Sequence, residues 1–247
     1  MHFKKQTRLM GNQFEFTLIE ESEKIANELF EIAIDEIKRI EALLTTFSDT
    51  SVTYKINENA GIKPVEVTDE VFLLIKRSQF ISKITQGAFD LSYGSIDKRF
   101  WNFDLNMTSL PDAETAKKSV ELINYENIIL DEAYKTVYLK KKGMRIGFGG
   151  IGKGYAAEMA KRKLKEINIQ SGIVNASGDL TAWGNQENGE AWTIGVADPN
   201  QRKSIFSTFK INFLNIIFKL IQSIAGVTLP WALEKTLVKV LLLLLCI

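Results

Sequence analysis

The sequence predicts an α+β fold, with helices and antiparallel pairs mixed in one domain rather than alternating strictly as in a doubly wound sheet. Three observations carry this. Apolar–polar alternations come in adjacent pairs, at residues 3–10 and 13–20, 126–131 and 136–141, and 171–176 and 179–184, the pattern of hairpins. Two stretches, from Ser22 to about Leu44 and from Thr68 to about Gln86, have the length, caps and apolar spacing of helices. A glycine-dense segment, Ile146 to Tyr155, hands a strand at 144–148 over to a helix from about Gly152 to Asn168.

Each element has its own justification. The first hairpin turns at Met10-Gly11-Asn12, and Phe14, Phe16 and Leu18 alternate with Gln13, Glu15 and Thr17, the period of a strand. Ser22 is the N-cap of the first helix, whose apolar stripe is Ile25, Leu29, Ile32, Ala33, Ile37, Ile40 and Leu44. Residues 46–51 are a polar loop with Phe47 embedded in it. Thr68 caps the second helix, with Asp69 and Glu70 in its first turn where acids complement the dipole. Gly87 ends that helix as a C′ residue. Pro111-Asp112 opens a third. A further short strand is expected at 191–197.

Composition narrows the chemistry. The chain has 247 residues and a net charge of +1, with both signs interspersed, so no nucleic-acid partner is expected. Its one cysteine is Cys246 and its one histidine is His2. A disulfide framework within the chain, a thiolate zinc site and a Ser-His-Asp or Cys-His engine are thereby excluded. The N-terminus has no apolar h-region, and neither a signal peptide nor a lipoprotein signal is read there.

The glycine run is the most informative segment. At a helix start the first N–H groups lack intrahelical partners, and glycine lets a ligand approach the backbone. That suits an anion such as a phosphate, and Lys153 adds positive charge. The alternative is a tight structural turn with a solvated lysine. Gly147 to Gly152 fits G-x-G-x-x-G, but no carboxylate follows about twenty residues on, where a dinucleotide fold needs one. Gly147 to Lys153 also fits G-x-x-x-x-G-K, but Gly154 stands where a P-loop needs Ser or Thr.

The third phosphate-site reading comes from four segments taken in order: Met10-Gly11-Asn12, Gly87 to Ser92, Gly149 to Ala157, and Ile173 to Asp179, with Trp192 to Pro199 following. In order and spacing over about residues 5–200 these resemble the ApbE family, the FAD:protein FMN transferases. The resemblance implies that the chain uses FAD as substrate with Mg2+. It would transfer FMN to a threonine hydroxyl of an acceptor protein, expected to be a subunit of a membrane redox complex, and release AMP. Attack on a pyrophosphate phosphorus needs an in-line nucleophile and stabilised charge, so a chain without a usable histidine is not excluded.

Residue by residue, the resemblance implies that Met10 packs on the flavin, where a thioether suits an aromatic ring. Phe47 falls near the flavin or adenine; a core Phe is the alternative. Ala88, Phe89 and Asp90 touch FAD, with Asp90 alternatively capping a turn. Lys153 contacts the cofactor, and the Gly150 carbonyl ligates magnesium. Asn175, Ser177, Gly178 and Asp179 match the family's stretch after the glycine-rich helix, though the same residues are good turn formers. Gly147 stands where many members carry a cofactor-contacting Asp.

Residues 205–247 depart from the family. None of its C-terminal motifs appears there, and the segment holds no aspartate and ends in Leu241–Leu245 beside Cys246. The domain expectation is therefore 1–204 as an incomplete ApbE-like domain and 205–247 as a divergent apolar tail: a membrane-associating segment, a buried helix, or a frameshifted sequence. Without the family's aspartate and threonine ligands a hard cation lacks oxygen donors. The expectation is weak FAD binding and impaired transfer. The rivals are a non-catalytic FAD-binding protein, tethered to a membrane by its tail, and an NAD enzyme. Family members are commonly exported and membrane-anchored, but compartment is not legible here.

Overall fold

The computed structural model describes residues 1–96, 112–197, 205–211 and 215–217. The expectations placed on Pro111, on Asp198-Pro199 and on the tail after residue 217 lie outside the described residues. In chain order the first elements are β1 (His2–Leu9), β2 (Asn12–Ile19), α1 (Glu23–Leu44), α2 (Val52–Glu58), β3 (Val65–Glu66), α3 (Asp69–Ile84) and α4 (Ala113–Ser119). After them come β4 (Ile128–Asp131), β5 (Thr136–Leu139), α5 (Gly152–Glu166), β6 (Gly172–Ala176), β7 (Asp179–Trp183), β8 (Trp192–Ala197), β9 (Ile205–Ile211) and β10 (Asn215–Ile217). The mixture of helices and antiparallel strands is α+β, as the sequence predicts. The chain divides into two compact units, Met1–Glu41 with the chain from Gly152 onward, and Ala42–Ile151.

In the first unit, antiparallel pairing builds a five-stranded sheet of order β1-β2-β6-β7-β10. Alternation along β2 puts Phe14, Phe16 and Leu18 on one face, each no more than 1% exposed. The Phe16 ring lies 6.1 Å from that of Phe30 on α1, so burial of aromatic area ties helix to sheet. The Ser22 hydroxyl caps α1 by accepting from the Ile25 N–H at 3.4 Å. The buried apolar residues of α1 are Ala26, Leu29, Phe30, Ala33, Ile34, Ile37, Ile40 and Leu44, whereas Ile25 and Ile32, expected on the stripe, are exposed. The stripe is centred on Phe30 and the two small alanines beneath it. Ile25 and Ile32 each stand one residue before an alanine, about 100° around the helix from the core. α5 packs on β6 and β7 through Ala156, Ala157, Ala160 and Leu164, all buried. β8 and β9 form a separate antiparallel pair.

The second unit holds a three-stranded antiparallel sheet of order β3-β5-β4 with α2, α3 and α4. The Thr68 hydroxyl caps α3. The helix ends at Ile84, and its C′ position falls one residue earlier than expected. Gln86 takes the left-handed position at φ +55° and Gly87 follows at +83°. The Gly87 N–H donates to Ser82 O at 2.8 Å and the Gln86 N–H to Lys83 O at 3.2 Å, a Schellman closure with Gln86 as C′.

Residues 144–148 are not a strand, contrary to the sequence expectation. Side chains and the carbonyl of Leu91, at the start of a 3-10 turn, take the place of a neighbouring strand. The Asn57 amide accepts from the Ile146 N–H at 2.7 Å and donates to the Ile146 carbonyl at 3.1 Å. The Ser95 hydroxyl does the same for Arg145, at 2.8 and 2.9 Å. The Gly147 N–H donates to Leu91 O at 3.0 Å. Buried backbone groups need partners but not a ladder.

Candidate functional site

In the first unit, register gathers the singled-out residues at one end of the five-stranded sheet. Leu9 faces Asn12 across β1 and β2, leaving Met10 and Gly11 as a two-residue loop at φ +49° and +72°. Ala176 faces Asp179 across β6 and β7, leaving Ser177 and Gly178 as a second such loop at +57° and +99°. Both have the mirror-image turn geometry that matches strand twist. Phe14 lies opposite Ala176 in the β2–β6 pair, so the two turns sit at the same end. Asn175 joins them: its Oδ1 accepts from the Gly178 N–H at 2.9 Å, and its Nδ2 donates to Glu15 at 3.4 Å.

Lys153, in the first turn of α5, reaches the same end. Its Nζ lies 3.5 Å from Asp179 Oδ2, with 10% and 3% of the two side chains exposed. The sequence points to an electropositive corner; the structure gives the lysine a carboxylate partner, and a buried charge needs one. Two turns further along α5, Lys161 Nζ donates to Glu158 at 3.0 Å and to the Thr181 hydroxyl at 3.3 Å, and that hydroxyl bonds Glu158 at 3.0 Å. Burial pushes the Lys161 ammonium below its ordinary value of 10.5, with Glu158 acting in the opposite sense. This second polar rung between α5 and β7 was missed by sequence reasoning, because no motif marks it.

Met10 is half-buried. Its N–H donates to Glu41 Oε2 and its carbonyl accepts from Asn12 Nδ2, both at 3.0 Å. Glu41 was also missed; helical periodicity assigns it only a polar position.

In the second unit, the segment after α3 meets the glycine run. A Cβ built on Gly150 would lie 3.2 Å from Phe89 Cε2, whereas one on Gly149 would meet no described atom within 4 Å. Gly149 and Gly150 are exposed, and among the described residues nothing fills the space at Gly149. Gly94 is the tight position, where a Cβ would lie 2.6–2.9 Å from the backbone of Ile146 and Gly147. Asp90 Oδ1 accepts from the Ser92 N–H at 2.8 Å and the Ser92 hydroxyl at 2.6 Å, and Oδ2 from the Tyr125 N–H at 2.8 Å. It therefore performs the turn-capping role that stands as the alternative to a flavin contact. Ala88 is exposed and Phe89 half-buried. Phe47 is 88% exposed, which rules out the core alternative for it.

Among the described residues no three His, Cys, Asp or Glu side chains converge as a metal site. The Gly150 carbonyl has no such group beside it, so the described residues do not fit the ion by themselves. Among them also, no helix is long and apolar enough to cross a membrane.

The fold is α+β; the first unit gathers two tight turns at one sheet end beside the buried Lys153, and the second unit carries the exposed glycine turn. The ApbE family profile matches residues 10–217. A FAD:protein FMN transferase of Klebsiella pneumoniae (strain 342) is 30% identical over 210 residues, covering 85% of this chain and 63% of the relative. One of Treponema pallidum (strain Nichols) is 26% identical over 177 residues, covering 66% and 49%. The crystal structure of the ApbE protein of Thermotoga maritima matches with a TM-score of 0.75 at 27% identity, over 86% of this chain and 68% of that one. The chain belongs to the ApbE family. It spans about half to two thirds of the length of the curated relatives it matches.

Proposed function

We propose that this chain is an FAD:protein FMN transferase by descent. FAD is its substrate, and the FMN moiety passes to a threonine hydroxyl of an acceptor protein. In that reaction a new P–O bond forms between the FMN phosphorus and the threonine oxygen, the pyrophosphate bridge breaks, and AMP leaves. The observation that carries the proposal is the 30% identity over 210 residues to a relative of that name. Met10, Phe47, Ala88, Phe89, Asp90 and Lys153 are the proposed flavin-binding residues. The exposed Gly149-Gly150 turn supports backbone approach to a diphosphate, since nothing described fills the space at Gly149.

Magnesium dependence, with the Gly150 carbonyl as one ligand, belongs to the same proposal, and so does an acceptor in a membrane redox complex. Weak FMN transfer belongs to it too, on the ground that the family's C-terminal motifs do not appear in the sequence of residues 205–247. The second reading is an FAD-binding protein without turnover, resting on the same departure of residues 205–247 from the family's pattern. Incubation with FAD, magnesium and an acceptor protein, followed by in-gel flavin fluorescence, separates them. Faint, chelator-sensitive labelling supports impaired transfer, retained FAD with no labelling supports the second reading, and labelling as strong as that by a full-length relative rejects both.

A further inference from the structure

Met10 holds a backbone conformation that L side chains with a Cβ rarely adopt, φ +49°. Tight hairpin loops of this geometry ordinarily take Asn, Asp or Gly at that position. The chain keeps a methionine there and clamps it on both sides, the N–H by Glu41 and the carbonyl by the Asn12 amide, each at 3.0 Å. Glu41 is itself out of place by helix criteria. It lies near the end of α1, close to the negative pole of the macrodipole, and the last turn carries no basic residue to offset it. A polar residue of either neutral or positive character would serve the helix better. What the carboxylate gains is the Met10 N–H.

From this juxtaposition we infer that Glu41, with Asn12, is a positioning residue: it fixes the left-handed turn so that the Met10 thioether is held in one place for the ring of a bound flavin. This rests on the proposed FAD reading. A thioether has three flexible torsions, so fixing its backbone is the part of its pre-organisation that the protein can supply. Held strain of this kind is characteristic of ligand clamps. The rival is a turn anchor that merely fastens the hairpin to α1.

Variants separate the two. Glu41→Ala removes the acceptor and Glu41→Gln keeps one. Equilibrium FAD titration is expected to show Glu41→Ala weaker by about tenfold, the scale of one hydrogen bond to a charged group, and Glu41→Gln within about twofold of the parent. In a Met10→Ala background, Glu41→Ala is expected to add little further loss, since residues acting through one another are not additive. A flavin-free readout accompanies this: the methyl resonance of Met10 in methionine-labelled chain, assigned by its loss in Met10→Leu, moves in Glu41→Ala and stays in Glu41→Gln. Should Glu41→Ala fail to fold, Asn12→Asp removes the donor to the Met10 carbonyl while keeping a turn-forming residue, and the same weakening is expected. Equal FAD affinity in Glu41→Ala and parent, or the same loss with and without the Met10 side chain, overturns the inference. A parent that binds no FAD while its Met10 resonance still depends on Glu41 rejects the flavin reading instead, and leaves Glu41 a turn anchor.

Discussion

Lys153 and Asp179 pair at 3.5 Å between the first turn of α5 and the first residue of β7, almost wholly out of solvent. Removing one partner of such a pair strands the other charge, which costs more than the pair itself contributes. Asp179→Ala is expected to destabilise the chain by about 3 kcal/mol or more, and the double variant Lys153→Met/Asp179→Leu to recover most of that loss. Urea denaturation of the three proteins checks this. Equal stability of Asp179→Ala and the parent would show the ion pair to be incidental.

The glycines divide into two kinds. A methyl on Gly94 would sit 2.6 Å from the Ile146 backbone, and backbone cannot yield as a side-chain tip can. Gly94→Ala is expected to cost about 3 kcal/mol. Gly149→Ala meets open space and is expected to leave the melting temperature unchanged while weakening FAD binding, because the methyl occupies the approach to the turn. Thermal melts and FAD titrations of both variants test the division.

Asn57 replaces a strand. Its buried amide satisfies both backbone groups of Ile146. Asn57→Ala is expected to cost about 3 kcal/mol by orphaning them. Asn57→Asp can accept but not donate when ionised, and recovers only part of the loss. Chemical denaturation across the three side chains is the check.

These cases show what could be read from sequence. Paired alternation located β1, β2, β4, β5, β6 and β7, because hairpin pairing is local and turn residues mark it; β8 was legible as a lone strand, but its partner β9 was not. The caps Ser22 and Thr68 were legible for the same reason. The ends of α1's buried face were not, since an isoleucine's side is settled by which neighbour packs against it. Residues 144–148 read as a strand because alternation reports burial, not the identity of the hydrogen-bonding partner; Asn57 lies 89 residues away from Ile146 in sequence. Of the site, the glycine turn, Met10 and Lys153 were visible as motifs. Glu41 and the Glu158–Lys161–Thr181 rung were invisible, because each depends on a contact between distant segments.

Lys161 gives a pH prediction. Burial lowers its folded pKa below the ordinary 10.5, so the folded state disfavours the charged form. The penalty is present in full below the folded pKa and is relieved as pH rises from that value toward 10.5. Stability of the parent relative to Lys161→Met is therefore expected to increase with pH through the alkaline range. Urea midpoints of both proteins across that range test the sign; a difference that falls with rising pH would reverse it.

The proposed transfer begins with FAD binding. Titration of flavin fluorescence with the 247-residue chain, repeated with excess NAD as competitor, puts the question in one experiment. Saturable quenching that NAD does not displace is the expected result. Flavin fluorescence that stays unchanged to high protein concentration, or is restored by NAD as readily as by FAD, would contradict it.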